Sequence, residues 1–274
     1  MPLIIAHRTS PAFAPENSLL GIRVSFEQGA DGVEVDLRMS LDLRAYLMHD
    51  NTMRRTTGWP LPIELTPSAL VRRQRLYGGP SLRGTSRGDD AGSLGAGVAT
   101  PHDESRGYAG TEAGSEQPPT LGEAMQAVPA DKLLAVDVKT PWSIFALASA
   151  VKGRSMQSRT LAWCSSALVV RYAVHSMPGL EVAYYKDYED GPSNIEFIGK
   201  AARIGARAVS LDWRGLNRDV VGTAHALGLK VYSWHKEHPI TAEVLESGLD
   251  GVITDYPARV RAVLAGLRGN PASS

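Results

Sequence analysis

Cysteine is nearly absent from the 274-residue chain: Cys164 stands alone. No intrachain disulfide is available, so a reducing, cytoplasmic compartment is the expectation. Neither sign of charge is in excess, since Lys plus Arg and Asp plus Glu each number 29. That balance removes the bulk basic charge a nucleic-acid partner would demand, and none is expected. No apolar run approaches the roughly 20 residues of a membrane-spanning helix. The first residues also lack the basic-then-apolar order of a secretory signal. The glycine fingerprint of a dinucleotide site does not follow the first apolar run. Zinc-type spacings of Cys and His are missing as well.

What is present is a rhythm. Short apolar runs at residues 3–7, 32–38, 133–139, 160–164, 181–185, 208–213, 230–235 and 251–254 read as strands. Amphipathic stretches at residues 142–151, 167–175, 194–204, 220–227, 241–246 and 257–267 fall between or after them. Another helix starts at Asn17 or Ser18. Gly179, Gly205, Gly228 and Gly248 sit just past helical runs, where a left-handed cap is expected. Alternation with near-continuous apolar strands implies a parallel sheet covered on both faces. Eight such units in a chain of this length predict one α/β domain over residues 1–274, a (β/α)8 TIM barrel; a doubly wound open sheet is the alternative. One segment departs from the rhythm. Residues 78–117, between strands two and three, are dense in Gly, Ser, Arg and Asp, with Leu82, Leu94 and Val98 as their large aliphatic residues. This segment is expected to be a surface excursion, either an inert insert or a substrate-side flap.

In a parallel barrel the active site lies at the carboxyl ends of the strands. The first strand ends in His7-Arg8, and the second carries Glu34 and Asp36 two apart, on one side. The third repeats the pattern with Asp137 and Lys139, and His49-Asp50 follows a short apolar run that reads as a return hairpin. Burying such carboxylates unpaired would cost on the order of several kcal/mol each, so a structural role alone explains them poorly. Three carboxylates near one mouth suit a hard divalent cation, Mg2+ or Ca2+. Arg8 and Lys139 suit a phosphate, while His7 and His49 titrate near neutrality, as acid–base work requires.

These stretches resemble a known family. "IAHRTSPAFAPENS", "GADGVEVDLRMSLDLRAYLMHD", "RRTTG", "PPTLGEAM", "VDVK", "GLKVYSWHKEHP" and "GLDGVITDYP" are similar, in order and spacing, to glycerophosphodiester phosphodiesterases. The resemblance runs from the first strand to the last, outside the 78–117 excursion. It implies a metal-dependent hydrolase that converts small-molecule glycerophosphodiesters, the deacylated phospholipids, to sn-glycerol 3-phosphate and an alcohol. By the same resemblance Glu34, Asp36 and Asp137 hold the metal, and His7 and His49 carry the acid–base chemistry. Arg8 and Lys139 bind the phosphate, and Trp234 lines the substrate pocket. Departures are visible too: Asp137 stands where the family usually has glutamate, and Thr9 where it commonly has glycine. His235, Lys236 and Glu237 replace a more usual Thr-Val-Asn beside Trp234, at the expected pocket for the leaving alcohol. The competing functions are a related metal-dependent phospholipase and a barrel that binds a phosphorylated ligand without turnover.

Overall fold

A computed structural model describes residues 1–77, 116–186 and 193–269. All but the last two residues of the 78–117 excursion, expected as an inert insert or a substrate-side flap, lie outside the described residues. Nine strands form one sheet: β1 (Leu3–Ala6), β2 (Gly32–Met39), β3 (Ala45–Leu47), β4 (Leu133–Val138), β5 (Thr160–Cys164), β6 (Glu181–Tyr185), β7 (Ala208–Asp212), β8 (Lys230–Lys236) and β9 (Gly251–Thr254). The order β1-β9-β8-β7-β6-β5-β4-β2 closes through a parallel β1–β2 pairing. Closure excludes the open sheet and leaves an eight-stranded parallel barrel. β3 stands outside the ring, antiparallel to β2, as the return hairpin. No helix among the described residues is long and apolar enough to cross a membrane.

The period of two along each strand divides the core. On β2, Val33, Val35 and Leu37 are fully buried against the surrounding helices, and the alternate Glu34 and Asp36 face the barrel interior. Ile5, Ala135, Leu161, Trp163, Ala183, Ala208, Tyr232 and Ile253 fill that interior. The alanines are the small partners that leave room for the Trp163 and Tyr232 rings, which meet edge to face at 5.7 Å. The lumen is therefore plugged below the acidic layer, and a ligand can enter only from the carboxyl-end mouth.

The helices that matter most here are α1 (Leu19–Glu27), α2 (Arg54–Thr57), α3 (Ser68–Val71) and α4 (Leu121–Ala127). Ser18 caps α1 by accepting from the Gly21 N–H at 2.8 Å. The Glu116 carboxylate accepts from the N–H groups of Leu19 and Leu20, so the chain after the excursion returns onto the start of α1. Thr120 and Glu123 form a reciprocal capping box on α4, which the T-x-x-E spacing at residues 120–123 signals though the periodicity reading passes over it.

Between β1 and α1 the backbone makes an unusual turn. Arg8, Thr9 and Ser10 have φ of 42°, 62° and 59°, three consecutive residues in the left-handed region without a glycine. Such a turn persists only if its surroundings hold it. The Asn17 N–H donates to the Arg8 carbonyl at 2.9 Å, the Ser18 N–H to Thr9 Oγ1 at 3.3 Å, and the Ser10 and Ser25 hydroxyls are 2.9 Å apart. Helix α1 can approach this closely because residue 21 is glycine. A Cβ there would stand 2.3 Å from Thr9 Oγ1 and 2.5 Å from the Thr9 carbonyl oxygen. We therefore expect Gly21→Ala to destabilise the fold by about 1–3 kcal/mol, the usual scale of overpacking, read as a lowered denaturant midpoint at unchanged m-value. A midpoint equal to wild type would show that the turn is not pinned by α1.

Candidate active site

The strand pairing brings the carboxylates together. Asp36 on β2 lies opposite Asp137 on β4 in the parallel register, and Glu34 is one inward-facing position below Asp36. Oxygens of the three approach within 4.8 Å of one another, and the residues are only 1%, 1% and 3% exposed. Lys139, just past β4, places Nζ 3.0 Å from Asp36 Oδ1 and 2.5 Å from Asp137 Oδ2. Arg8 reaches Asp36 Oδ2 with Nε at 3.4 Å, and its backbone N–H donates to Glu34 Oε2 at 2.8 Å. Asn17, itself left-handed at φ 55°, grips Asp36 from both sides: Nδ2 donates to Oδ2 at 2.7 Å and Oδ1 accepts from the Asp36 N–H at 2.9 Å.

The electrostatics divide the triad. Burial pushes the Asp36 carboxyl up, but Lys139, Arg8, His49 and the Asn17 bond outweigh it and hold the group well below the carboxylate range. Glu34 goes the other way, raised first by burial and then by repulsion from Asp36 and Asp137. Burial likewise outweighs Lys139 at Asp137 and raises it. Two cations therefore secure one carboxylate and leave two that hold protons too tightly, the signature of a site short of positive charge.

Both histidines reach the same mouth. His7 follows β1 directly, and its Nδ1 is 2.6 Å from Asp255 Oδ1, just beyond β9. A carboxylate only accepts, so the Nδ1–H donates and Nε2 is left with its lone pair. Burial lowers the His7 pKa below 6.5 despite the raising effect of the Asp255 bond. His49 follows β3, held by the Arg38 Nε donating to its carbonyl at 2.9 Å. Its Nδ1 meets Asp50 Oδ1 at 2.6 Å; Asp50 accepts from Arg55 Nε at 2.6 Å, and Arg55 is clamped by Glu16. Burial raises Asp50, but the bonds from Arg55 and His49 bring it down to about 2. Burial also lowers His49, partly offset by Asp36.

All eight residues singled out from the sequence (His7, Arg8, Glu34, Asp36, His49, Asp137, Lys139 and Trp234) line one pocket of about 240 Å³. Asp255, Asn17, Arg55 and Tyr185 were missed. For Asp255 a signal existed: an acidic residue at the carboxyl end of the last strand, in the "GVITDYP" stretch. Asn17 and Arg55 lie in stretches that carried the resemblance, but nothing in their local pattern shows what they touch.

The fold and this mouth define a (β/α)8 barrel with an acidic, cation-accepting site at its catalytic end. A sequence model of the glycerophosphoryl diester phosphodiesterase family matches residues 7–152, more than half of the chain, and the chain belongs to that family. Among curated relatives, the glycerophosphodiester phosphodiesterase of Caldanaerobacter subterraneus is 23% identical over 93% of this chain and 94% of its own. The human glycerophosphodiester phosphodiesterase domain-containing protein 5 is 46% identical over a 57-residue stretch, 21% of this chain but 9% of that much longer protein. An Oleispira antarctica phosphodiesterase, solved in complex with the product sn-glycerol-3-phosphate, superposes with a TM-score of 0.73. It is 23% identical, with 97% of each chain covered, and carries the fold comparison.

A divalent cation fits these residues. The donors are all hard oxygens, and Asp137 Oδ1 is buried with no hydrogen-bond partner among the described residues. The raised Glu34 and Asp137 would lose their protons to solvent as the cation takes their place. Mg2+ or Ca2+ should therefore stabilise the fold, by about 2.7 kcal/mol at a free ion concentration 100 times the dissociation constant. Lowering the pH should weaken this gain, because protons compete at Glu34. The measurement is the thermal midpoint with each ion and with EDTA, for wild type and Glu34→Gln; an ion-independent midpoint for wild type would contradict the site.

Proposed function

We propose that the protein hydrolyses glycerophosphodiesters, with a divalent cation held by Glu34, Asp36 and Asp137. The observation that carries this reading is the convergence of a carboxylate triad, two histidines and two phosphate-matching cations on one pocket. Family membership supports the substrate class, as does the product named for the Oleispira protein. When bound, the cation supplies Lewis-acid stabilisation of charge on the phosphoryl group. Arg8 and Lys139 orient the phosphodiester, Arg8 through its planar fork and Lys139 as a point charge.

His7 is assigned the base. Its Nε2 accepts the proton of the nucleophile, either water or a neighbouring glycerol hydroxyl, while Asp255 fixes the tautomer and stabilises the imidazolium that forms. His49 is assigned the acid and donates from Nε2 to the departing alkoxide. It is the more exposed ring, and the negative charge of a bound phosphodiester adds to Asp36 and Asp50 in raising its proton affinity. A new P–O bond forms as the bond between phosphorus and the alcohol oxygen breaks. Attack by water releases sn-glycerol 3-phosphate and the alcohol directly, whereas attack by the glycerol hydroxyl releases the alcohol and a cyclic phosphodiester, which water then opens to sn-glycerol 3-phosphate.

The first test is hydrolysis of glycerophosphocholine by the purified protein, abolished by EDTA and restored by Mg2+ or Ca2+. Binding without turnover in the presence of metal would favour a ligand-binding barrel instead. His49→Ala should lower kcat about 10²–10⁴-fold on glycerophosphocholine, the scale of one general acid, and far less on a p-nitrophenyl ester whose leaving group needs no proton. Equal losses on both substrates would remove His49 from the acid role.

Asp255→Asn should lower kcat on both substrates by about 10²-fold or more, because an amide no longer fixes the Nδ1–H tautomer. Wild-type activity should persist below pH 6.5, where a base with an ordinary histidine pKa would already be half protonated, and fall as the lowered His7 pKa is crossed. An acid limb centred above 6.5 would contradict the base assignment.

A further inference from the structure

The pocket has two unlike sides. The triad, both histidines, Arg8 and Lys139 come from β1, β2, β4 and the turns that follow β1 and β3. Tyr185, Lys186, Asp212, Trp234 and Lys236, from β6 to β8 and the residue that follows β6, build the opposite wall. Resting on the hydrolase reading above, we propose that the alcohol portion of the phosphodiester lies against this wall and that Lys236 selects for a leaving alcohol that carries negative charge, such as a phosphorylated polyol.

Lys236 is placed by a backbone irregularity. The pairing of β8 with β9 shifts register between Trp234 and Lys236, and Lys236 takes φ 53°. A bulge of this kind re-aims the side chain that follows it. The Lys236 carbonyl accepts from the Asp255 N–H at 2.8 Å and from Thr254 Oγ1 at 3.4 Å, so the bulge is tied to the residue that holds His7. Of the three residues 235–237 that set this chain apart beside Trp234, Lys236 alone lines the pocket. His235 is buried on the outer side, hydrogen-bonded to Ser233 at 2.9 Å and stacked on Trp213 at 6.0 Å. Burial lowers its pKa to about 4, so it adds no charge near neutrality. Glu237 is exposed outside the pocket.

The local charge balance favours an anion. Among the described residues Asp212 is the acidic residue of this wall, and Arg214 holds it through contacts at 2.8 and 3.1 Å. Among the described residues Lys236 has no carboxylate oxygen within the 4.0 Å of an ion pair. Rings at Trp234 and Tyr185, 6.2 Å apart, would by themselves welcome a quaternary ammonium. The ammonium beside them repels one and attracts a phosphate or carboxylate. Because Lys236 is exposed, the effect is moderate and screened by salt.

The test compares kcat/KM for glycerophosphocholine, glycerophosphoglycerol and glycerophosphoinositol 4-phosphate, with Mg2+ and separately with Ca2+, at low ionic strength and in 0.5 M KCl. Variants are Lys236→Asn, which removes the charge yet tolerates the left-handed backbone, and Lys236→Arg, which keeps the charge. Wild type should favour the anionic over the neutral diester and the neutral over the cationic one, with preferences that shrink in salt. Lys236→Asn should cut the anionic-to-neutral ratio about fivefold, the scale of one exposed charge, chiefly through KM, and Lys236→Arg should retain it. A ratio unchanged in Lys236→Asn, or a wild type that prefers the choline ester, overturns the inference while leaving the hydrolase reading intact. A wild type that turns over none of the three overturns that reading, and this inference with it.

Discussion

Three carboxylates packed within 4.8 Å at the end of an otherwise apolar lumen are the constraint on which the rest of this structure depends. Like charges at that distance in a buried site cannot all ionise without compensation. Their surroundings supply it piecemeal: a lysine shared by two of them, an arginine on one, a side-chain amide on the same one, and a backbone N–H on the third. The compensation stops short. Asp36 is secured as the anion, whereas Glu34 and Asp137 keep a raised proton affinity and Asp137 retains a buried oxygen without a hydrogen-bond partner among the described residues. A fold selected for stability alone would replace such a cluster with aliphatic residues at little loss. Its retention in the mouth of a plugged barrel makes sense if a divalent cation completes it.

The same need for donors explains the strained turn after β1. A turn of ordinary geometry would not carry the Arg8 N–H to Glu34 and the Arg8 side chain to Asp36 while leaving His7 beside Asp255. Three left-handed residues do so, each disfavoured by about 1–2 kcal/mol for a non-glycine side chain. The cost is offset by the contacts from Asn17, Ser18 and Ser25, and those in turn require helix α1 to lie against Thr9, which only Gly21 permits. Thr9 therefore adds strain but also supplies the Oγ1 that receives the Ser18 N–H. Stability of α1 and placement of the site are one problem here.

What could be read from the sequence was what strand geometry repeats. The two-residue spacing of Glu34 with Asp36, and of Asp137 with Lys139, puts each pair on one side of its strand whatever the register. Alternation of strand and helix likewise required a covered parallel sheet. The register opposing Asp36 to Asp137 was not legible, because it depends on pairing across a gap of 100 residues. Nor was the Asp255 contact, which joins two ends of the chain 248 residues apart through ring closure. Asn17 and Arg55 escaped for a related reason: polar loop residues look alike until the fold gives them a partner. The spacing of Lys139 to Asp137 suggests at most one of its two ion pairs, because the second, to Asp36, depends on the register of β2 against β4.

Two similar rings in one pocket need a physical reason to act differently. Each presents Nδ1 to an aspartate at 2.6 Å, so the immediate partners do not distinguish them. The next layer does. Asp255 lies in the barrel wall, buried with His7, and its N–H is spent on the Lys236 carbonyl, so it offers a low-dielectric counter-charge fixed by two strands. Asp50 is partly exposed and already shares its charge with Arg55, which Glu16 holds from the neighbouring loop. A ring tied to a buried carboxylate gains most from the protonated state that forms during reaction, the requirement of a base. A ring whose carboxylate is already paired depends more on what enters the pocket, and an anionic phosphodiester is what would bring it a proton at neutral pH. On the proposed function, the order of proton transfers follows from this difference in burial: His49 gains its proton when the substrate arrives, and His7 gains one only as the nucleophile attacks.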